Sequence, residues 1–350
     1  MKKIFDVKSF IINADVPVLT ALKQLSSKTH GEQFLLIVDN KGSLKGTLTD
    51  GDVRRALISG KVITGLVSEF MHQSPKFVMN SVAAITINKE LNDGQSPAMF
   101  LPVLNSDFTV NHIILDEERP SKKTYALVMA GGFGTRLGQS TSEIPKPLIK
   151  VGGVPLIEHV LKRVESLGVS HIFISVHYLA EMVEAYVEAS GRKSYVSILN
   201  EEKPLGTAGS IAMLPAINDC NLIVTNCDLI SNLNFDNMLN FHLALNADAT
   251  IAVATHKVQI PFGVIRYDNV GGFEKIEEKP ILSNYVAAGI YIFSSKFISS
   301  HRIIGHMDMP DYISHGKSKG MRPYVFPLYE EWADIGRPED LEREDFKNLT

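Results

Sequence analysis

Residues Leu127–Leu148 read LVMAGGFGTRLGQSTSEIPKPL, the most informative stretch of the chain. It begins inside a short apolar run, Tyr125–Ala130, which is typical of a buried parallel strand that leads into a loop. The glycines at 131, 132 and 134 allow the backbone to approach a phosphate group closely. Where a strand gives way to a helix, free N–H groups and the helix dipole also favour an anion. The stretch therefore predicts a phosphate-binding loop.

Two positively charged residues strengthen this prediction. Arg136 offers a planar, permanently charged fork that suits phosphate oxygens. Lys146 lies between Pro145 and Pro147, which hold it on a stiff, extended backbone. The loop is not a P-loop, because it lacks the Gly-Lys-Ser/Thr sequence with which a P-loop ends. It also fits a dinucleotide-binding fingerprint poorly, because that motif assigns no role to Arg136 or Lys146. The combination favours a phosphate site of another kind.

The sequence beyond this loop alternates between strands and helices. His171–Val176 and Leu222–Thr225 have the composition of buried strands, and Ala180–Ala189 that of a helix. This alternation predicts an α/β domain around a mostly parallel sheet over residues 124–350. The charged, proline-containing segment Asp116–Lys123, DEERPSKK, is predicted to be the linker before it.

The N-terminal region, residues 1–118, has a different pattern that predicts a smaller α+β domain. Phe34–Val38 and Leu44–Leu48 flank a turn-rich DNKG and predict a hairpin, which a helix near Asp52 follows. The hairpin pattern returns at Leu101–Leu104 and Val110–Leu115, which favours a tandem of small βαβ-type units. The second copy ends without the helix and motif that close the first.

Composition limits the classes of function. A chain of 350 residues is long enough to form two domains. Its 35 Lys and Arg residues and 39 Asp and Glu residues give a net charge of −4. No basic footprint for a nucleic acid is present. The two cysteines, Cys220 and Cys227, are interpreted as small buried hydrophobes. Without a signal-peptide pattern or an apolar run of membrane-spanning length, we expect a cytoplasmic protein with no membrane partner.

The glycine loop with Arg136 and Lys146 resembles the signature of the sugar-1-phosphate nucleotidyltransferase family, Gly-Gly-x-Gly-Thr-Arg-Leu followed by Pro-Lys-Pro-Leu. The resemblance implies a Rossmann-like α/β fold, a requirement for Mg²⁺, and transfer of a nucleotidyl group with release of pyrophosphate. One departure is Gly138–Thr141, where many relatives have Pro-Leu-Thr after the Arg-Leu. Six further segments are similar to family motifs in the expected order: Glu201–Gly209, Thr225–Ile230, Pro261–Val264, Glu277–Pro280, Val286–Phe293 and Trp332–Gly336.

The same resemblance implies roles for individual residues. The implied catalytic cations are Arg136, Lys146 and Lys279, and the implied ligands of Mg²⁺ are Asp228 and Asp334. The implied nucleotide-binding residues are Ala130, Gly131, Gly132, Gly134, Thr135, Glu201, Gly206 and Thr207. The implied sugar-binding residues are Gly263, Glu278 and Ala288. Taken singly, Asp228 and Asp334 also suit helix caps or turns, and Glu278 with Lys279 also suits a solvated charge pair.

The identity of the base can be argued from Glu201. A carboxylate only accepts hydrogen bonds, and guanine presents two adjacent donors, N1–H and N2–H₂. Thymine and uracil place a single donor between two acceptors, which suits glutamine better. The sequence therefore favours GTP, with a thymidylyl- or uridylyltransferase as the alternative. For the sugar 1-phosphate, the residues offer no independent test. The N-terminal fusion is similar to that of glucosamine-1-phosphate guanylyltransferases of bacterial legionaminic acid synthesis, which ranks this sugar before heptose or mannose 1-phosphate.

The stretch Gly46–Leu57, GTLTDGDVRRAL, resembles the signature of a CBS domain, and the tandem of about 65 residues is similar to a CBS pair. That resemblance implies a contact of Thr49 and Asp52 with the ribose of an adenine nucleotide. Helix capping by the acidic residues is the alternative, and a purely dimerising role in a homo-oligomer is equally open. A nucleotide-sensing protein with a catalytically silent transferase fold is the competing interpretation of the whole chain.

Overall fold

The computed structural model describes residues 1–28, 32–81, 100–115, 122–134, 137 and 143–341. The chain forms two compact units. The first contains Met1–Lys122 together with Asn234–Ala247, and the second contains Lys123–Leu233 and Asp248–Thr350. No helix in the described ranges is long and apolar enough to cross a membrane.

The first unit contains two small sheets. Its elements are β1 (Lys2–Ile4), β2 (Ile11–Asn13), α1 (Val18–Ser26), β3 (Phe34–Val38), β4 (Leu44–Thr49), α2 (Asp50–Ile58), α3 (Val67–Phe70), β5 (Val78–Met79), β6 (Phe100–Leu104) and β7 (Val110–Leu115). The strand orders are β2-β3-β4 and β1-β7-β6-β5. Both predicted hairpins are confirmed, since β3 pairs antiparallel with β4 and β6 with β7.

The second unit is built on a seven-stranded sheet. Its elements before the inserted helix are β8 (Lys123–Met129), β9 (Lys150–Val151), β10 (Val154–Pro155), α4 (Leu156–Ser166), β11 (His171–Val176), α5 (Ala180–Ala189), β12 (Val196–Asn200), β13 (Cys220–Asn226) and β14 (Leu229–Ser231). The inserted helix α6 (Phe235–Ala244) belongs to the first unit. The elements after it are β15 (Ala249–Gln259), β16 (Val264–Tyr267), β17 (Phe273–Glu277), β18 (Ile281–Ser294), α7 (Ser295–Ser300), α8 (Met309–Ser318), β19 (Pro323–Pro327), β20 (Trp332–Asp334) and α9 (Pro338–Leu341).

The order of the large sheet is β12-β11-β8-β13-β18-β15-β19. The pairings β12–β11, β11–β8, β8–β13 and β15–β19 are parallel, and β18 runs antiparallel to both of its neighbours. The predicted mixed α/β fold with a mostly parallel central sheet is therefore confirmed. Its apolar strands form the core, in which Leu127, Leu222 and Phe293 are completely buried. Four neighbouring parallel strands thus end at one edge, where ligands bind in open α/β sheets.

Candidate nucleotide-binding site

A cleft of about 350 Å³ opens at the carboxyl edge of the parallel strands. The loops that follow β8, β12 and β13 contribute most of its wall. The lining residues are Met129, Gly131, Gly132, Phe133, Gly134, Lys146, Glu201, Pro204, Leu205, Gly206, Thr207, Asn226, Cys227, Asp228 and Gly336. Residues predicted for the triphosphate, the base and the metal therefore share one cleft in the structure.

The glycine loop starts directly at the end of β8. The buried Ala130 lies outside the cleft lining and donates its N–H to the Ser175 carbonyl at 2.8 Å, which ties the start of the loop to β11. A Cβ atom on Gly131 would lie 3.2 Å from a carboxylate oxygen of Glu201, and Gly134 has a φ of 65°. Both positions thus favour glycine, the first for space and the second for backbone conformation. The predicted residues Thr135 and Arg136 lie outside the described residues.

Lys146 and Asp228 form a buried ion pair at the base of the cleft. The Lys146 ammonium group donates to Asp228 Oδ2, and the two side chains are only 9% and 15% exposed. Lys146 opens a short 3-10 helix, Lys146–Leu148, after the extended Pro145. Asp228 follows β13, so strand and helix bring together two residues that are 82 positions apart.

The surroundings of Asp228 fit a divalent cation. Its Oδ1 atom is buried and has no hydrogen-bond partner within the described ranges. The backbone of Asp228 accepts a hydrogen bond from Ile335 N at 3.0 Å, and Leu229 pairs with Asp334 across the β14–β20 ribbon. No cluster of three or more His, Cys, Asp or Glu residues suited to a metal occurs in the part of the chain that the structure describes. Two carboxylates suffice for Mg²⁺, which usually completes its shell with water and substrate phosphates.

The thiol of Cys227, next to Asp228 in the chain, is also influenced by the charged groups of this site. Burial raises its pKa well above the ordinary value, and the carboxylates of Asp228 and Asp334 raise it further, while Lys146 opposes them. The carboxylates of Asp228 and Asp334 are therefore both close enough to Cys227 to influence its pKa. The thiol stays protonated and unreactive at neutral pH. Neither cysteine forms a disulfide and both are buried, as predicted from the sequence.

Glu201 is held rigidly at the end of β12, with 8% of its surface exposed. The Ser175 hydroxyl donates to its Oε1 atom, and the backbone N–H of Leu205 donates to Oε2 at 2.9 Å. A carboxylate has about four lone-pair positions, so each oxygen can accept one more donor. The carboxylate faces the cleft with that remaining capacity.

The loop after Glu201 depends on a residue that the sequence analysis missed. Asp308 accepts a hydrogen bond from Thr207 N at 3.2 Å, and Met309 N donates to Thr207 Oγ1 at 2.8 Å. Gly206 has a φ of 76°, and a Cβ atom there would lie 2.6 Å from the Met307 carbonyl. Asp308 directly before Met309-Pro310 is a recognisable helix start, but this local signal does not reveal a contact 101 residues away.

The residues predicted for the sugar do not line this cleft. Glu278 and Lys279 are exposed, and the position of a Cβ atom on Gly263 lies 2.9 Å from Glu278 Oε2. Ala288 is completely buried in β18, and its carbonyl accepts a hydrogen bond from Trp332 Nε1 at 2.9 Å. The lining of the cleft thus includes most of the predicted nucleotide-binding residues and none of the predicted sugar-binding residues.

In the first unit, Thr49 and Asp52 form a capping box at the start of α2. Asp52 Oδ2 accepts from Thr49 N at 2.8 Å, and Thr49 Oγ1 accepts from Asp52 N at 3.3 Å. Arg55 Nη2 also donates to Asp52 Oδ1 at 2.6 Å. The capping alternative for the acidic residue is therefore present in the structure, and Thr49 also lines a second cavity.

A family model matches the second unit of the chain, which contains the cleft, and several curated proteins are similar to this chain. The family model described as nucleotidyl transferase matches residues 125–348. A mannose-1-phosphate guanylyltransferase catalytic subunit beta of Danio rerio is 31% identical over 224 residues, which cover 62% of this chain and 62% of that protein. A mannose-1-phosphate guanyltransferase of Pichia angusta is 33% identical over 230 residues, which cover 61% of each. The chain thus spans about three fifths of the length of these curated relatives.

A solved structure supports the fold. A Bacillus anthracis protein, assigned as a glucose-1-phosphate thymidylyltransferase and solved with sucrose, is 23% identical with a TM-score of 0.51. The match covers 65% of this chain and 94% of that one. At this identity the likeness concerns the fold alone. Because the family model covers well over half of its length, the chain belongs to the nucleotidyl transferase family.

Proposed function

We propose that the protein transfers GMP from GTP to a sugar 1-phosphate, giving a GDP-sugar and pyrophosphate. The observation that carries the proposal is the single cleft that gathers the glycine loop, Lys146, Asp228 and Glu201. The names of the relatives, mannose-1-phosphate guanylyltransferases, support the same reaction class.

The chemistry follows from charge. An oxygen of the sugar phosphate attacks the α-phosphorus of GTP, a new P–O bond forms, and the bond to pyrophosphate breaks. Nucleophile and leaving group are already ionised, so no proton transfer is needed and catalysis consists of positioning and charge neutralisation. Lys146 and Arg136 supply fixed positive charge to the triphosphate. Asp228 and Asp334 would hold Mg²⁺, which when bound adds positive charge beside the phosphate oxygens.

Glu201 is proposed to select guanine. The two positions on its carboxylate that Ser175 and Leu205 do not use can accept N1–H and N2–H₂ together. A rigid acceptor of this kind rejects bases that present an acceptor at either position, because two unpaired acceptors would face each other in a buried site.

We propose glucosamine 1-phosphate as the first sugar to test, followed by mannose and heptose 1-phosphate. Lys279 is proposed to contact the sugar phosphate and Glu278 to accept hydrogen bonds from sugar hydroxyls, and Gly263 and Ala288 are the other residues proposed for the sugar side. The exposure of Glu278 and Lys279 leaves both side chains accessible to a ligand.

The experiment combines the purified full chain, Mg²⁺, each of GTP, UTP, dTTP, CTP and ATP, and a panel of sugar 1-phosphates, with pyrophosphate release as the readout. We expect release with GTP and one of the three named sugars. Release with UTP or dTTP and not with GTP would refute the assignment of the base. If no pair releases pyrophosphate, the transferase assignment fails in favour of a silent, nucleotide-sensing protein.

For the N-terminal unit, we propose an adenine nucleotide as the ligand near Thr49 and Asp52, and assembly into a homo-oligomer. The support is the cavity that Thr49 lines and the resemblance of its sequence to a CBS domain. Sedimentation of the full chain with and without AMP tests both parts of this proposal.

A further inference from the structure

The antiparallel hairpin formed by β16 and β17 has an exposed apolar face. Ile265 of β16 lies opposite Ile276 of β17, and side chains directly opposite each other in such a pair share one face. Two positions further along β16, on the same face, Tyr267 lies opposite Phe273. These four side chains, here the apolar face of the hairpin, are each between 57% and 69% exposed. Large apolar side chains are thus concentrated on one exposed surface.

The opposite face of the same hairpin is charged. Arg266 and Lys275 lie opposite each other between the apolar pairs, so they point to the other side. Glu277 accepts from Arg266 Nη2 at 2.8 Å and lies 2.7 Å from Lys275 Nζ. Within the described residues β16 and β17 pair only with each other, and an isolated two-stranded hairpin is marginally stable in water. The charged face is suited to solvent, whereas the apolar face gains stability from a partner.

The size and chemistry of the apolar face suit a second copy of the same chain. Aromatic side chains present about 150–250 Å² each, so the four side chains expose on the order of 500 Å². A soluble monomer rarely exposes a contiguous apolar patch larger than a few hundred Å². A two-fold axis brings the same patch of two copies together and would bury about 1,000 Å² in total, which is enough for a specific interface. An uncharged apolar face is also complementary to itself.

The residues proposed for the sugar phosphate lie at the base of this hairpin. Glu278 and Lys279 directly follow β17. Lys279 N donates to the Phe262 carbonyl at 3.3 Å, and Ile260 N donates to the Pro280 carbonyl at 3.0 Å, so the segments on both sides of the hairpin are joined there. Lys279 has a φ of 46°, a conformation that residues with a side chain adopt only where their surroundings impose it. Fixing the hairpin therefore also fixes the loop that carries Glu278 and Lys279.

We propose that the apolar face of the β16–β17 hairpin is the contact between two copies of this chain, and that this contact holds the loop at Glu278 and Lys279 ready for the sugar 1-phosphate. The contact lies entirely on the second unit and is separate from the assembly proposed for the N-terminal unit. The effect on the sugar rests on the proposed function, whereas the contact itself does not.

Cross-linking of the full chain tests the contact without any turnover. Both native cysteines are buried, so an introduced cysteine is the preferred target of a flexible bismaleimide reagent. Ile265→Cys places a thiol on the apolar face, and Lys275→Cys places one on the charged face of the same hairpin. We expect a covalent dimer on a denaturing gel with Ile265→Cys and a single-chain band with Lys275→Cys. Equal cross-linking of the two variants, or none with Ile265→Cys, overturns the proposal.

Tyr267→Asp and Lys275→Asp test the energetics, because each introduces the same charge on one face of the hairpin. Both positions are exposed, and thermal unfolding verifies that the variants fold. Tyr267→Asp should raise the dissociation constant of the dimer by about 10²-fold or more in sedimentation equilibrium, because a two-fold contact would bury two carboxylates. Lys275→Asp should leave that constant unchanged. A wild-type chain that sediments as a monomer, or a Tyr267→Asp variant that associates like the wild type, overturns the contact.

The effect on the sugar has its own measurement. At concentrations where Tyr267→Asp is dissociated, we expect KM for the sugar 1-phosphate to rise by about 5-fold or more while KM for GTP stays at the wild-type value, since the second copy acts as an effector of the sugar side alone. Lys275→Asp should keep both constants. An unchanged KM for the sugar in the dissociated variant overturns this part of the proposal. Sedimentation and cross-linking give their answers even if the pyrophosphate assay fails for every substrate pair.

Discussion

At the scale of single residues, the ion pair between Lys146 and Asp228 is the most consequential contact in the cleft. Both side chains are largely buried, so each charge depends on the other for compensation. The pair also joins the predicted triphosphate cation to the predicted metal ligand, which the sequence separates by 82 positions. Their adjacency shows why the two motifs have to be treated as parts of one site.

We predict that Lys146→Met lowers kcat by about 10²- to 10³-fold, because it removes a buried positive charge from the cleft in which the triphosphate is proposed to bind. Asp228 would also lose its partner, so the free energy of unfolding should fall by about 3–5 kcal/mol. Steady-state kinetics and urea unfolding measure the two effects. Lys150→Met, on the exposed side of β9, is the matched control and should behave like the wild type. Equal activity of the two variants would disprove the role of Lys146.

Glu201→Gln tests the selection of the base. A carboxamide replaces one acceptor with a donor, so guanine loses a hydrogen bond and meets a mismatched donor. We expect kcat/KM for GTP to fall by about 10²-fold or more, and that for UTP or dTTP to rise relative to it. Glu202→Gln changes the adjacent exposed residue and should leave base preference unaltered. An unchanged ratio of GTP to UTP in Glu201→Gln would show that another group reads the base.

At the scale of elements, the loop at Gly206 depends on close packing as well as on backbone conformation. Its φ of 76° resembles the 83° of Gly153, but only at Gly206 would a Cβ atom meet a backbone atom, Met307 O at 2.6 Å. The two glycines therefore separate the cost of the backbone from the cost of the clash.

We predict that Gly153→Ala costs about 1–2 kcal/mol of stability, the usual penalty for a left-handed alanine. Gly206→Ala should cost more, and it alone should raise KM for GTP, because Thr207 and Leu205 would move with the loop. Thermal unfolding of both variants measures the loss of stability, and steady-state kinetics with GTP measure the change in KM. A Gly206→Ala variant with the KM of the wild type would mean that this loop does not contact the nucleotide.

Two ion pairs between Arg192 and helix α4 stabilise the second unit and make its free energy of unfolding depend on pH. Arg192 donates to Glu158 at 2.8 Å and to Glu165 at 2.5 Å, and both carboxylates lie on α4. The hydrogen bond from Arg192 lowers the pKa of Glu158 below its ordinary value of 4.5. A carboxyl group whose pKa is lower in the folded state stabilises the fold above its unfolded pKa, and this contribution disappears as the pH falls through the folded pKa.

We therefore predict that wild-type stability falls between about pH 5 and pH 3, and that Arg192→Met, less stable at pH 7, loses less over the same range. Urea unfolding at pH 7, 5 and 3 measures this difference. Lys193→Met, which removes the exposed neighbouring ion pair with Glu188, is the control and should follow the wild type. Parallel pH profiles of the wild type and Arg192→Met would contradict the assignment.

The elements also show how far local sequence patterns determine structure. Strand β11 and helix α5 have the predicted bounds, because a short apolar run and helical periodicity are local properties of the sequence. Strand β18 begins at Ile281, earlier than the predicted Val286–Phe293, because its first half is exposed on both faces and lacks a periodic apolar signal. The contact of Asp308 with Thr207 is invisible in the sequence for another reason, since it depends on tertiary packing of distant segments.

At the scale of the whole molecule, the most informative feature is the assignment of α6 to the first unit. The sequence predicts one continuous domain over residues 124–350, and nothing in the local pattern of Phe235–Ala244 distinguishes it from the other helices. The pattern of an amphipathic helix identifies the face that is buried, but it does not identify the part of the protein that packs against this face. The chain thus passes from the transferase unit to the N-terminal unit and back, which gives the two a covalent connection in addition to the linker before Lys122.

The central claim is that a single cleft binds the base, the triphosphate and the metal of Mg²⁺-GTP. A crystal structure of the full chain with Mn²⁺ in place of Mg²⁺ and a non-hydrolysable GTP analogue tests it most directly, because anomalous scattering locates the metal independently. We predict guanine N1 and N2 within hydrogen-bond distance of the Glu201 carboxylate, phosphates against Gly131–Gly134 and Lys146, and the anomalous peak on Asp228. A nucleotide bound elsewhere, or a metal peak remote from Asp228, would contradict the account.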